Sequence, residues 1–258
     1  MPPKAVDEAT RILEISESRG VTLRLLGGTA ILLRCPSARS GALLRTRAPD
    51  IDFAGLKKEN PGIKEVFAAA GYRPNVNFNA LHGYKQLLFY GPHDDPKVDV
   101  FLDQFAMCHR IDLRPRLGLA RATLPLADLL FTKLQIVEIN EKDVKDIIAL
   151  LLDHPVDSRQ SEDAIDGSYL ADLASRDWGI FTTLADNLEK TRTFLPEFHL
   201  DEPSEEAVLG SLEKLRGLLD GAPKGVGWRL RAKIGRRMAW YELPEEPKAI
   251  RLGQEPPP

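Results

Sequence analysis

Cysteine is scarce in this chain: only Cys35 and Cys108 occur in 258 residues. They are too few and too far apart to make a metal spacing or a disulfide framework, so a reducing compartment, the cytoplasm, is the expectation. No stretch reaches the ~18 consecutive apolar residues of a membrane span. The opening MPPKAVDEATR also lacks an apolar signal core, which predicts a cytoplasmic protein with no membrane partner. Charge of one sign is lacking too. A formal charge of −3 gives no global attraction to nucleic acid, so a polyanion would have to meet a local patch. The five histidines, His82, His93, His109, His154 and His199, are scattered without metal spacing or a nucleophile partner. GxxxxGK[ST] and GxGxxG are both absent, which excludes a P-loop and a Rossmann fingerprint. No internal repeat is visible. What remains is a composition of 43% hydrophobic and 28% charged residues, that of a folded chain long enough for one large domain or two small ones.

The pattern changes class along the chain. Val6, Ala9, Ile12 and Leu13 recur at helical spacing over 5–19, and Gly20 follows as a C-cap. VTLRLL (21–26) reads as a strand entering a glycine turn, and TAILLR as the first turns of a helix. Residues 35–48 form an arginine-bearing loop, DIDFAG a strand, and Asn60-Pro61 the start of a helix closed by Gly71. Strand-like runs follow at 73–78, 84–90 and 97–102, with GPHDDP as a turn. Beyond residue 120 the runs LADLLFTKLQIVEI, EKDVKDIIALLLDH, 168–194 and 203–220 are helical. These readings predict an α/β (α+β) domain over 1–120, a helical domain over 121–250 and a disordered tail over 251–258, ending in EPPP.

Two acidic segments carry the chemistry. Asp50 and Asp52 stand in RAPDIDF, and Asp99 in KVDVFLD. Side chains alternate along a strand, so Asp50 and Asp52 project to one face while Ile51 enters the core. Asp99 lies opposite the face of Val98, Val100 and Leu102. If the two strands are neighbours, three carboxylates converge. Unit charges ~4 Å apart repel by roughly 4 kcal/mol at an effective dielectric of about 20, and Mg²⁺ is the usual occupant of an oxygen-only site. Three solvated strand-end aspartates are the alternative. Upstream, strand–Gly27-Gly28–Thr29–helix is a phosphate-binding arrangement: glycines allow close approach, and a helix start offers unpaired N–H groups. Phosphate at a helix start with metal on nearby acids describes phosphoryl or nucleotidyl transfer.

The order GGTA, then DID, then a single strand aspartate resembles the nucleotidyltransferase superfamily that includes DNA polymerase beta and the aminoglycoside nucleotidyltransferases. The long gap between GGTA and DID is similar to the AbiEii/AbiGii-type nucleotidyltransferase-like toxin family. Members of that family carry a GGTA-like turn, an R-x-[ST]-x-D-[IL]-D-like segment, and a later lysine helix followed by a K-D-x-x-D-like helix. Here LADLLFTKLQI supplies Lys133, and EKDVKDIIALLL supplies Lys142, Asp143 and Asp146. The resemblance covers about residues 20–155. Ala48 departs from the family's Ser or Thr, and Pro49 directly precedes Asp50. The resemblance implies a nucleotidyltransferase fold with a small mixed sheet followed by a helical domain. It implies that Gly27, Gly28, Thr29 and Lys133 contact the nucleoside triphosphate, that Asp50 and Asp52 hold Mg²⁺, and that Asp99 completes the metal site and helps deprotonate a hydroxyl acceptor. The acceptor is an RNA end, a protein side chain or a small molecule. A toxin or phage-defence role, with a cognate antitoxin as partner, follows from the family alone. A catalytically silent nucleotide-binding scaffold is the other reading of the same fold, and a sugar-nucleotide glycosyltransferase would explain DID but neither GGTA nor Asp99.

Other residues have two readings each. Lys133 contacts phosphate or snorkels from an apolar helix. Asp143 and Asp146 are catalytic, or are surface or helix-packing charges. Arg39, Arg45 and Arg47 steer a triphosphate or line a solvated loop. The segment 224–240, KGVGWRLRAKIGRRMAW, has six basic residues, two tryptophans and no acid. It alternates over 228–234, yet Val226, Leu230, Ile234 and Met238 form a helical stripe, so strand and helix stay open. It is a packed element with a basic face, or a patch for RNA or another polyanion.

Overall fold

The computed structural model describes residues 4–44, 50–92 and 97–243. Arg45, Arg47, Ala48, Pro49, His93 and the EPPP tail lie outside the described residues. The amino-terminal half runs α1 (Lys4–Ser18), β1 (Leu23–Leu26), α2 (Gly27–Arg34), β2 (Ile51–Gly55), α3 (Asn60–Ala69), β3 (Arg73–Pro74), α4 (Val76–His82), β4 (Gln86–Tyr90) and β5 (Val98–Leu102). A hairpin follows, of β6 (Gln104–Ala106) and β7 (Arg110–Asp112). The rest is chiefly helical: α5 (Leu126–Leu134), α6 (Glu141–Asp153), α7 (Gly167–Arg176), α8 (Trp178–Phe194), α9 (Glu202–Gly221) and α10 (Val226–Ile234). The two-residue strands β8 (Val156–Asp157) and β9 (Ile165–Asp166) pair between α6 and α7. No helix among the described residues is long and apolar enough to cross a membrane.

Five strands form a mixed sheet in the order β1-β2-β5-β4-β3. Only β2 and β5 run parallel; the other neighbours are antiparallel. Strand alternation decides what each face carries. Ile51, Phe53, Val98, Val100, Leu87 and Phe89 are buried on one face. There α3 covers them through Phe67, stacked on Phe89 with centroids 4.2 Å apart and edge-on to Phe53 at 6.2 Å. Asp52 and Asp99 belong to the opposite face.

The run at 73–78 is a strand only at Arg73–Pro74, and residues 76–82 are helical. Asn75 explains the switch: its side chain accepts from Phe78 N (2.9 Å) and caps α4. Asn79 then takes a strand's place beside β4. Its amide nitrogen donates to Leu88 O (3.1 Å), and its oxygen accepts from Leu88 N (2.8 Å). The segment 224–240, open between strand and helix, forms α10 followed by a single turn at Gly235–Arg237. Its apolar stripe faces outward, with Val226, Leu230, Ile234 and Met238 all exposed.

The change of class near residue 120 falls inside the core. Leu25 N donates to Ala122 O and Leu124 N to Leu25 O, both at 2.9 Å, so residues 122–124 extend the sheet beside β1. From there the chain enters α5, in which every residue is buried. A helix apolar all round belongs at the centre of its neighbours, and α5 packs against α2, α6, α7 and α8. Asp128, Thr132 and Lys133 are buried with its apolar residues. Asp128 accepts from Arg116 Nε (2.9 Å) and pairs with Nη2 (2.8 Å), while the guanidinium lies 3.7 Å from the Tyr169 ring centroid. Removing one partner of such a pair leaves the other charge buried. Asp128→Ala should therefore cost about 3–5 kcal/mol in urea unfolding, and Arg116→Met with Asp128→Leu should recover most of it. A loss below about 1 kcal/mol in the single variant would show that the pair is not the brace described here.

Candidate functional site

The site begins at the junction of β1 and α2. Leu26 pairs with Asp52, and Asp52 with Asp99, so the two aspartates are in-register neighbours on parallel strands. Gly27 follows at φ +67°, the left-handed region, and a methyl group there would overlap Asp52 Oδ2. Only glycine lets the turn's backbone lie this close to the carboxylate. The first turn of α2 has no side-chain cap, leaving its N–H groups to another acceptor. Thr29 turns out differently from the expectation of a ligand-facing hydroxyl. It is fully buried, and Oγ1 donates to Asp50 O at 2.9 Å, which ties α2 to the entry of the aspartate strand. Asp50 itself is exposed just before β2.

The carboxylates are not left alone. Asp99 is buried, with Lys97 Nζ 2.9 Å from Oδ2 and Gln86 Nε2 donating to Oδ1 at 2.8 Å. Sequence reasoning missed both partners. Lys97 was legible, since residues two apart share a strand face; Gln86 depends on the β4–β5 register and was not. Burial pushes the Asp52 carboxyl up to about 7, helped by the charges of Asp99 and Asp50 and opposed by Lys133 and Lys97. Burial works against the Lys97 ammonium, but its Asp99 hydrogen bond and the charges of Asp99, Asp50 and Asp52 hold it above its usual range.

Lys133 does not snorkel. Its ammonium is buried between Asp143 Oδ1 (3.1 Å) and Asp146 Oδ2 (2.8 Å) on α6, and its charge reaches Asp52. Asp143 and Asp146 are accordingly buried partners rather than surface charges. Arg39 folds back to donate to Leu32 O (2.5 Å) and Leu33 O (2.8 Å), capping α2 from its far end.

Among the described residues, no group of three or more histidine, cysteine, aspartate or glutamate side chains stands ready to hold a metal ion. Asp52 and Asp99 are adjacent; Asp50 is nearby in sequence, but its side chain is exposed. The donor set still fits a hard cation in kind. It is oxygen-only, and a carboxyl raised by burial and by two like charges is one that a divalent ion would return to its ionised form. Compared with protein-family models, curated proteins and solved structures, the chain matches none.

The raised Asp52 has a measurable consequence. The folded chain holds this proton more tightly than the unfolded chain, where the carboxyl titrates near 3.8. Its contribution to stability is full below that value and is lost as pH rises through about 7. Each pH unit in between changes the balance by up to about 1.4 kcal/mol. In the presence of a chelator, wild-type thermal unfolding should shift downward between pH 5 and pH 8 more steeply than that of Asp52→Asn. Parallel pH profiles for the two proteins would rule out the raised carboxyl.

Proposed function

We propose that this chain is a Mg²⁺-dependent nucleotidyltransferase, moving a nucleoside monophosphate from a nucleoside triphosphate to a hydroxyl acceptor. The observation that carries the reading is the Asp52–Asp99 pair, in register on parallel strands, beside a glycine turn whose backbone meets the Asp52 carboxylate. A mixed sheet with the DID strand in its interior, beside the central β5, and helices after it, is consistent with the nucleotidyltransferase fold. Under this reading Gly27 and Gly28 admit the triphosphate to the uncapped start of α2, where N–H groups and the helix dipole favour phosphate. Asp50, Asp52 and Asp99 would hold Mg²⁺, which would supply neutralisation of phosphate charge and a lowered pKa at the acceptor hydroxyl. Thr29 sets the position of Asp50. Lys133, Asp143 and Asp146 form a fixed charge group behind Asp52, so Lys133 acts on the site through its field. The AbiEii/AbiGii-type likeness adds a toxin or phage-defence role in the cytoplasm with a cognate antitoxin. The acceptor is an RNA end, a protein side chain or a small molecule.

One observation favours a second reading, a catalytically silent nucleotide-binding scaffold. Asp99 already has Lys97 and Gln86 on its two oxygens, an arrangement stable without a cation. The two readings part in a single assay. Wild-type protein should transfer radiolabelled α-phosphate from a nucleoside triphosphate to RNA, protein or small-molecule acceptors in Mg²⁺. Asp99→Asn should keep much of the Mg²⁺–triphosphate affinity in calorimetry yet lose turnover by about a hundredfold or more, whereas Asp52→Asn should lose the affinity itself. No transfer and no pyrophosphate release by the wild type would leave the scaffold.

A further inference from the structure

All three tryptophans of the chain, Trp178, Trp228 and Trp240, line one cavity of about 550 Å³. The β6–β7 hairpin, the α7–α8 junction, α10 and residues 239–242 border it, and it is open to solvent. None of Gly27, Asp50, Asp52, Asp99 or Lys133 lines it, and the hairpin leaves the end of β5 away from Asp99. It is therefore a separate place from the acidic site.

The walls are built rather than incidental. Trp228 Nε1 donates to Ala174 O (2.9 Å) and Trp240 Nε1 to Thr183 Oγ1 (3.2 Å), which fixes both indoles. Glu242 N donates to Cys108 O (3.0 Å), pinning the closing segment across the hairpin. Arg231 holds the carbonyls of Gly235, Met238 and Ala239 and lies 4.6 Å from the Trp178 ring centroid. Gly179 is required where it stands, because a side-chain carbon would strike the Trp240 carbonyl oxygen.

Donors at this cavity remain open. Among the described residues, neither the Arg110 guanidinium nor the Trp178 indole N–H has a hydrogen-bond or ion-pair partner. By contrast, Arg176 is paired with Asp172 (2.9 Å), and Asp177 accepts from Gly179 N and Ile180 N at the start of α8. Glu242 is the one other lining carboxylate. Arg110, Arg176 and Arg231 outnumber Asp177 and Glu242 among the lining residues, a formal charge of +1.

These features select a ligand class. The volume is that of a small-molecule pocket. Indole faces stack on planar rings whatever their sequence of ring atoms. A cation of the kind that aromatic cages bind would meet Arg231 already seated over the Trp178 ring. A planar aromatic ring carrying an anion meets both demands. We propose that this cavity binds a nucleobase bearing a phosphate, its ring against the indoles, its ring acceptor on Trp178 Nε1 and its phosphate toward Arg110. Glu242 is placed to accept from an exocyclic amine. The same chemistry is offered by a free mononucleotide and by the terminal nucleotide of a single strand. The inference does not depend on nucleotidyl transfer, since it needs neither divalent cation nor triphosphate.

The tryptophans provide the readout. With every indole of the chain at the cavity, fluorescence excited at the red edge of the tryptophan band reports occupancy directly. The full chain, kept in chelator so that the acidic site has no metal, is titrated with adenosine and uridine 5′-monophosphates, adenosine, ribose 5-phosphate and a short single-stranded oligoribonucleotide. Saturable quenching is expected from the monophosphates, and binding about tenfold weaker or more from the probes lacking base or phosphate. Arg110→Ala, at an exposed strand position, should weaken the monophosphates about tenfold with an unchanged melting temperature. Trp178→Phe should weaken them while keeping a stacking ring. Tighter binding of the oligoribonucleotide identifies a strand end as the source, and equal binding identifies a free nucleotide. No saturable quenching by any probe, or wild-type affinity in both variants, overturns the proposal.

Discussion

Two carboxylates forced into register on parallel strands are the constraint around which the amino-terminal half is arranged. Once β2 and β5 pair with Asp52 opposite Asp99, both face the same side, and their repulsion has to be met locally. Lys97 and Gln86 meet it at Asp99. Among the described residues no such close partner is seen for Asp52; it has the more distant field of Lys133 and a glycine that leaves it room. The asymmetry makes Asp52 the responsive member of the pair. It also links the α5–α6 charge group to Asp52 electrostatically, although that group lies beyond the change of class.

The helical half has its own dependence on buried charge. α5 is enclosed on all sides, and apolar contacts alone would hold it in several rotational settings of similar energy. Asp128 with Arg116, and Lys133 with Asp143 and Asp146, are satisfied in one setting only. Asn187 adds a further tie, donating to Leu134 O and Ile136 O (both 2.7 Å) at the carboxyl end of α5. Such groups contribute little net stability, because their desolvation offsets their attraction. Their effect is on which arrangement of the helices is reached.

The parts of this molecule governed by local pattern were legible in the sequence. The alternation around Asp52 and Asp99, the Asn60-Pro61 helix start and the long apolar runs of α5 and α6 each carried their own signal. The fate of 76–78 was misread because a side-chain cap, Asn75, outweighed an alternating pattern. Segment 224–240 held both periods at once, and packing of Trp228 against Phe181 (centroids 5.3 Å apart) accompanies the helical outcome. What pattern could not show was pairing across the fold. The burial of Asp143 and Asp146, the register that brings Gln86 to Asp99, and the gathering of three tryptophans distant in sequence all depend on tertiary geometry.

Asn79 has a role that reaches beyond its own hydrogen bonds. The outermost strand, β3, is two residues long, and beyond it one backbone bond, Asn75 N to Leu88 O (2.8 Å), reaches β4. By taking both the N–H and the C=O of Leu88, one amide group occupies the position where a further strand would dock. The sheet therefore ends in a side chain rather than in an open ladder, and a second polypeptide arriving in extended form finds its first pair of hydrogen bonds already made. Protection against self-association at this margin thus rests on the Asn79 side chain together with the Asn75 backbone N–H that shares Leu88 O (2.8 Å).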